Sequence, residues 1–320
     1  MRRRFLKFIL SASAWTLSAG LASARQRFKP IAREISEVLS MKHSAFPYDG
    51  ENPETGETFL NVVDGQRRGH KSPRGGVNWE DVAYSDRRSL FYVPAGFNLN
   101  RPAALVVFLH GNYATLARDV AGRQHVPGQL AKSRINAVLA APQLAVDLGD
   151  SSPGNFWREG YFAAWLAEAE TKLAKLHRQG AEASDFSALP VILVAYSGGY
   201  FPAAWCLKNG GADRRIAGVV LMDALYGDTE KFAAWVAANY KTAFLFSAYS
   251  KASRQWNLEL QAMLTAQDID FTQGLPGKLK PASIFFAEVP DDVDHVEFLS
   301  QAWTKDPLHW VFQRIIQFHR

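Results

Sequence analysis

The chain has 320 residues, of which 48% are hydrophobic and 21% charged. These ordinary globular values exclude intrinsic disorder and leave room for one large α/β domain or two smaller ones. The formal net charge is +5, but Arg2, Arg3, Arg4 and Lys7 carry four of those charges; without them the balance is near +1, which excludes a nucleic-acid partner on electrostatic grounds.

In chain order, the first segment is Arg2-Arg3-Arg4-Phe5-Leu6-Lys7, then a mildly apolar stretch, then Ala22-Ser23-Ala24. A basic region, an apolar region and small residues at a cleavage point are the parts of a secretory signal, placed here at 1–24. The run R-R-x-F-L-K is similar to the twin-arginine signal of bacterial proteins that fold before export, which implies transient contact with the export machinery and a periplasmic or secreted destination. A membrane anchor is the competing reading, but 8–22 is short for a span and holds Ser11, Ser13, Thr16 and Ser18. Cys206 is the only cysteine, so no intramolecular disulfide can form; in Ala203-Ala204-Trp205-Cys206-Leu207 it reads as a small core residue.

The remainder, 25–320, reads as a single domain. A short helix is expected over 31–39, and a loop-rich excursion over 43–76, with turn signals at Pro47-Tyr48-Asp49-Gly50, Asn52-Pro53 and Gly75-Gly76. Two strands, 77–84 and 90–93, should form a hairpin about Ser85-Asp86-Arg87-Arg88. From there apolar runs at 103–109, 137–141, 191–195, 216–222, 243–246 and 283–287 read as strands buried on both faces. Helical stretches at 156–177, 200–208, 229–239, 253–266 and from Val296 onward alternate with them. That alternation predicts right-handed βαβ crossovers and one mostly parallel sheet with helices on both faces.

Chemistry concentrates at Val191-Ile192-Leu193-Val194-Ala195-Tyr196-Ser197-Gly198-Gly199, an apolar strand running through small-x-Ser-x-small into a helix. A sharp turn there lifts a serine hydroxyl clear of the sheet, and small neighbours let strand and helix approach closely, so Ser197 is the expected nucleophile. Ala195 stands where the commonest pattern has a glycine. After an earlier strand comes Leu109-His110-Gly111-Asn112; the backbone N–H groups of Gly198 and Asn112 are the expected oxyanion hole, with His110 holding the loop. His295, in Asp291-Asp292-Val293-Asp294-His295, follows the last strand run and is the expected base. The acid is expected at Asp223, at the end of the strand Val219-Val220-Leu221-Met222, because the next strand, Phe244-Leu245-Phe246, leads into Ser247-Ala248-Tyr249-Ser250 with no carboxylate. Asp292 and Asp294 compete for that role.

Leu-His-Gly-Asn, Ala-Tyr-Ser-Gly-Gly, Met-Asp-Ala and a late Asp-His, in that order, make the sequence resemble the α/β-hydrolase superfamily over 77–320. An acid after the sixth strand is similar to the arrangement of pancreatic-type lipases. The resemblance implies an α/β-hydrolase fold and a serine hydrolase that cleaves a carboxylic ester through an acyl-enzyme, with a small-molecule or polymeric acyl substrate and neither metal nor organic cofactor. The alternatives are an amidase or peptidase acting on a cell-wall or other polymer, and a noncatalytic exported binding protein on the same fold. Around the site, Tyr226, Tyr249 and Gln143 follow strand ends and could reach it, and Arg67, Arg68, His70, Lys71 and Arg74 could meet an anionic substrate or simply be solvated. Trp157, Tyr161 and Trp165, spaced by four, read as a stripe packed on the sheet.

Overall fold

The computed structural model describes residues 28–319; the expected signal segment, 1–24, lies outside them. Among the described residues twelve strands form in chain order: β1 (Ile35–Ser40), β2 (Val62–Asp64), β3 (Arg67–Lys71), β4 (Val77–Trp79), β5 (Arg88–Val93), β6 (Ala104–Leu109), β7 (Ala137–Pro142), β8 (Val191–Tyr196), β9 (Ile216–Met222), β10 (Phe244–Tyr249), β11 (Thr272–Gln273) and β12 (Ile284–Glu288). Nine of them make one sheet in the order β1-β5-β7-β6-β8-β9-β10-β12-β11. β5 pairs antiparallel with β1 and β7; every other pairing is parallel. This order, with helices on both faces, is the α/β-hydrolase fold.

The strands that sit at the centre of this sheet are the continuous apolar runs, because helices cover both of their faces. Side chains alternate: Leu105, Val107 and Leu109 of β6 point into one core with Leu193 of β8, whereas Val106 and Phe108 point into the other with Val194. The first core is closed by the helices Tyr161–His177, Tyr200–Asn209, Thr229–Asn239 and Arg254–Thr265, through residues such as Trp165, Trp205, Phe232 and Leu260. The second is closed by Val126–Ser133 and Pro307–Phe312. Cys206 is buried in the first core, and Trp157 and Trp165 are buried in packing.

The N-terminal third departs from expectation. Residues 35–40 form an edge strand paired with β5, not a helix: Ile35, Val38 and Leu39 imitate helical spacing over a window too short to separate the two periods. The 77–84 run is a three-residue strand followed by the helix Glu80–Ala83, and β4 pairs with β3 instead of β5, so the expected hairpin does not form. Within the loop-rich excursion 43–76 the strands β2 and β3 form, and with β4 they make a second, three-stranded sheet. Its strand Arg67–Lys71 is nearly all polar and is steadied by ion pairs from Arg67 to Asp81 and Arg68 to Glu80. The C-terminal helix covers only Pro307–Phe312; Val296 lies in a run of turns, and His319 lies beyond the last helical turn.

Gly199 marks a close approach of helix to sheet. A side chain there would collide with the carbonyl oxygens of Leu109 and His110, backbone atoms of the central strand's end that cannot step aside. Gly199→Ala should therefore lower stability by about 1–3 kcal/mol, a loss of several degrees in Tm by calorimetry. An unchanged Tm would mean that the helix can lift off β6 freely.

Candidate active site

β6, β8 and β9 are neighbours in the sheet, and each releases one part of the site at its carboxyl end, the rim where open α/β sheets place their ligands. β8 ends at Tyr196 in extended geometry; Ser197 then takes φ +53°, and the helix begins at Tyr200. A serine in the left-handed region is uncommon, and such backbone persists only where the surroundings over-determine it. The reversal turns the hydroxyl away from the strand. Gly111, after β6, lets the next loop come close: a Cβ on it would lie 2.6 Å from Ser197 Cβ.

Ser197 Oγ lies 2.7 Å from His295 Nε2, and His295 Nδ1 lies 2.6 Å from Asp223 Oδ2. Tyr196 donates its hydroxyl to the His295 carbonyl at 2.6 Å and stacks its ring on the imidazole, with centroids 5.4 Å apart. The His295 side chain is about one-third exposed, whereas Asp223 is fully buried.

Asp223 is held from the loop after β10, where the sequence offers serines and no acid. Its Oδ1 accepts the Ser250 N–H at 2.9 Å and the Ser253 hydroxyl; its Oδ2 accepts the Ser250 hydroxyl at 2.8 Å and, at 3.3 Å, that of Tyr226. Burial alone would raise the carboxyl's pKa, but the hydrogen bonds from His295, Ser253 and Ser250 outweigh it and hold the group below its ordinary value. Asp294 instead accepts the Val296 N–H at 2.8 Å, shaping its own loop. Asp292 is exposed.

Asn112 and Gly198 sit side by side at the serine. The Asn112 Oδ1 would be 2.8 Å from a Cβ on Gly198, and it accepts the Ser151 hydroxyl at 2.6 Å. Gly198 lies in the first turn of a helix, where N–H groups lack intrahelical partners, and the Asn112 N–H donates to no group among the described residues. Both line a cavity of about 620 Å³ together with Ser197 and His295. That is room for a molecule of drug-like size.

Of the other residues singled out in the sequence, Tyr226 reaches the site, with its hydroxyl 3.3 Å from His295 Nδ1. Tyr249 and Gln143 are buried away from the cavity. Arg74 alone of the basic residues at 67–74 lines it, since Arg67 and Arg68 are paired and His70 stacks on Phe59. Ser250, Ser253 and Ser151 were not foreseen, because a serine in a loop has no pattern that sets it apart. Among the described residues no group of three or more His, Cys, Asp or Glu side chains is placed to hold a metal ion, and no helix is long and apolar enough to cross a membrane.

His110 is fully buried behind the asparagine loop. Its Nδ1 is bonded to the Gly111 carbonyl at 2.8 Å, and its Nε2 accepts the Leu144 N–H at 2.9 Å, which fixes a neutral tautomer. Burial depresses its pKa to about 4. The unfolded chain protonates this side chain near 6.5 and the folded one only near 4, so stability falls as pH drops through that interval, by about 3 kcal/mol in full. In urea titrations at pH 7 and pH 4.5, His110→Gln should be less stable than the wild type at neutral pH and should close much of that gap in acid. Parallel losses in the two proteins would show that His110 is not the group being titrated.

No protein-family model matches the chain, and no curated protein matches it significantly. Solved structures do resemble it. A feruloyl esterase module from Clostridium thermocellum is 12% identical, covering 88% of this chain and 99% of that one with a TM-score of 0.48. An S-formylglutathione hydrolase from Agrobacterium tumefaciens is 14% identical over 79% of this chain and 98% of that one, with a TM-score of 0.44. An IroE-like serine hydrolase from Shewanella oneidensis is 14% identical over 88% and 79%, with a TM-score of 0.42. At such identities the chemistry has to be read from the residues of this chain.

Proposed function

We propose that the protein is a serine hydrolase that cleaves carboxylic esters through an acyl-enzyme intermediate. The observation that carries this reading is the continuous relay from Ser197 Oγ through His295 to a buried, ionised Asp223, with both links under 3 Å. In this reading His295 Nε2 takes the hydroxyl proton as Ser197 attacks the acyl carbonyl. Asp223 accepts the Nδ1–H, keeps the imidazole in the productive tautomer and stabilises the imidazolium that forms. The N–H groups of Asn112 and Gly198 receive the negative charge that develops on the carbonyl oxygen. His295 then returns its proton to the departing oxygen, and a water activated by the same nitrogen hydrolyses the acyl-enzyme.

Export through a twin-arginine signal, and hence a periplasmic or secreted location, completes the proposal. It rests on residues 2–24 alone and is tested by whether Arg2→Lys with Arg3→Lys retains the protein in the cytoplasm of its host.

A fluorophosphonate probe should label the wild type, and neither Ser197→Ala nor His295→Ala. Against para-nitrophenyl esters, Asp223→Asn should lower kcat by about 10³–10⁴-fold, the range expected when the imidazole loses its orienting carboxylate. A folded wild type that neither reacts with the probe nor turns over any ester or amide would overturn the hydrolase reading and leave a binding role for the cavity.

Ser250 and Ser253 act on the reaction only through Asp223. The double variant Ser250→Ala, Ser253→Ala should retain labelling but react more slowly, by about tenfold or more, and Ser253→Thr should restore most of the rate. If the double variant reacts at the wild-type rate, the two serines serve the fold and not the carboxylate.

A further inference from the structure

The lining of the cavity beside Ser197 contains two arginines, Arg74 and Arg123, and no carboxylate. Arg123 is engaged: it pairs with Asp119 and donates to the Val296 carbonyl at 2.7 Å. Arg74 is not, since no acidic group stands within ion-pair distance of it among the described residues. Asp150 and Asp147, which stand either side of Gly149 in the sequence, have other partners, the first Tyr84 and Ser152, the second Arg118. Three hydrogen bonds close the turn that carries Arg74: the Ser72 N–H donates to the Gly76 carbonyl at 3.1 Å, the Gly75 N–H to the Ser72 carbonyl at 3.0 Å, and the Arg74 N–H to the Ser72 hydroxyl at 3.1 Å.

That turn brings the guanidinium over Gly149, where a Cβ would lie 2.9 Å from Nη1 and would also collide with the Tyr113 hydroxyl. Ser151, which touches Asn112 and Gly198, is only two residues further along, a span of at most about 7 Å. The free cation therefore stands at the same end of the cavity as the expected oxyanion donors, a short distance out from the serine. Tyr113 and Tyr200 add phenolic hydroxyls to the lining that donate to no group among the described residues. Burial, together with the nearby carboxylates of Asp228 and Glu54 and offset in part by Lys231, pushes the Tyr200 hydroxyl up to about 12, so that it stays a neutral donor.

From this arrangement we infer that the substrate is an ester bearing a carboxylate away from the scissile bond, and that Arg74 selects it. The inference rests on the hydrolase reading above. A guanidinium binds a carboxylate in two parallel hydrogen bonds, and one lacking an acidic partner in the protein gives up no ion pair to do so. The aromatic walls of Tyr196, Tyr200 and Tyr226 would hold the uncharged part of the same molecule.

Two matched pairs of esters test this. One pair varies the acyl part: the para-nitrophenyl monoester of a dicarboxylic acid against the same compound with its free carboxylate methylated. The other varies the leaving group: phenyl acetate with a ring carboxylate against the ring carboxamide. In at least one pair the wild type should favour the anion in kcat/KM by about tenfold or more at low salt, and the preference should shrink as salt is added. Arg74→Ala should bring that ratio near one, Arg74→Glu should invert it, and Arg74→Lys should keep part of it. A wild type that is labelled by a neutral fluorophosphonate but shows ratios near one in both pairs overturns the inference alone, as does a preference that survives in Arg74→Ala. A wild type that is not labelled removes the hydrolase reading and this inference with it.

Discussion

A carboxylate with no solvent exposure is costly to keep ionised, by several kcal/mol, unless donors surround it. Asp223 satisfies that condition with groups from three separate places: its own strand end through Tyr226, the loop after β10 through Ser250 and Ser253, and the C-terminal loop through His295. The parallel register makes this possible. Met222 pairs with Ala248, and the Asp223 N–H donates to the Ala248 carbonyl at 2.7 Å, so Ser250 falls beside the carboxylate. A slip of one residue between β9 and β10 would turn Asp223 toward the other face and leave the serines unpaired.

The same rim concentrates unusual backbone. Ser197 at φ +53°, Asp223 at +44° and Tyr113 at +55° all follow strands of the central sheet, and none is a glycine. Each such residue costs on the order of 1–3 kcal/mol. What holds them is the two-sided core beneath, together with the side-chain hydrogen bonds of Ser197 and Asp223 and, for Tyr113, the bond from its N–H to the Leu148 carbonyl at 2.9 Å. Asn112, Ser197 and Asp223 leave adjacent strands in spatial order, and His295 reaches back to them from beyond β12, steadied by Tyr196 from below and from the side. The relay is thus assembled by sheet order more than by any one loop.

This explains what was legible in the sequence. Central strands are apolar on both faces and announce themselves as runs, so β6 to β9 and β12 could be read within a residue, while β10 runs three residues past its expected end because Ser247 interrupts the apolar run; residues at strand ends could be ranked by position. Asp223 is the acid expected on that ground, at the end of β9 with no carboxylate at the end of β10, and the structure places it 2.6 Å from His295 Nδ1. The serines that hold it were not expected, because their role depends on the register of two strands. Edge and satellite elements were the least legible. Six residues of β1 contain too few turns of either period to decide between strand and helix, and Arg67–Lys71 forms a strand with almost no apolar alternation: its arginines are engaged by Asp81, Glu80 and, 4.6 Å below Arg67, the Trp79 ring, while its anchorage to the core comes from His70 against Phe59.

That satellite sheet has consequences for the site. A three-stranded sheet of short polar strands does not stand alone in water, and this one is fastened at several points. Phe59 stacks on His70 at 4.4 Å and packs with Phe46 and Tyr84 in the core, while the Tyr84 hydroxyl is bonded to Asp150, next to Ser151. Glu54, upstream of the sheet, pairs with Lys231 on the helix after β9. The arm that carries Arg74 is therefore tied to the loop bordering Asn112 and Gly198, yet shares no residue with the relay. On the proposed reading, recognition of the remote part of a substrate and chemistry at its carbonyl would fall to physically separate parts: the arm's surface shares no hydrogen bond with the buried carboxylate, and its aromatic anchors tie it to the loop bordering Asn112 and Gly198.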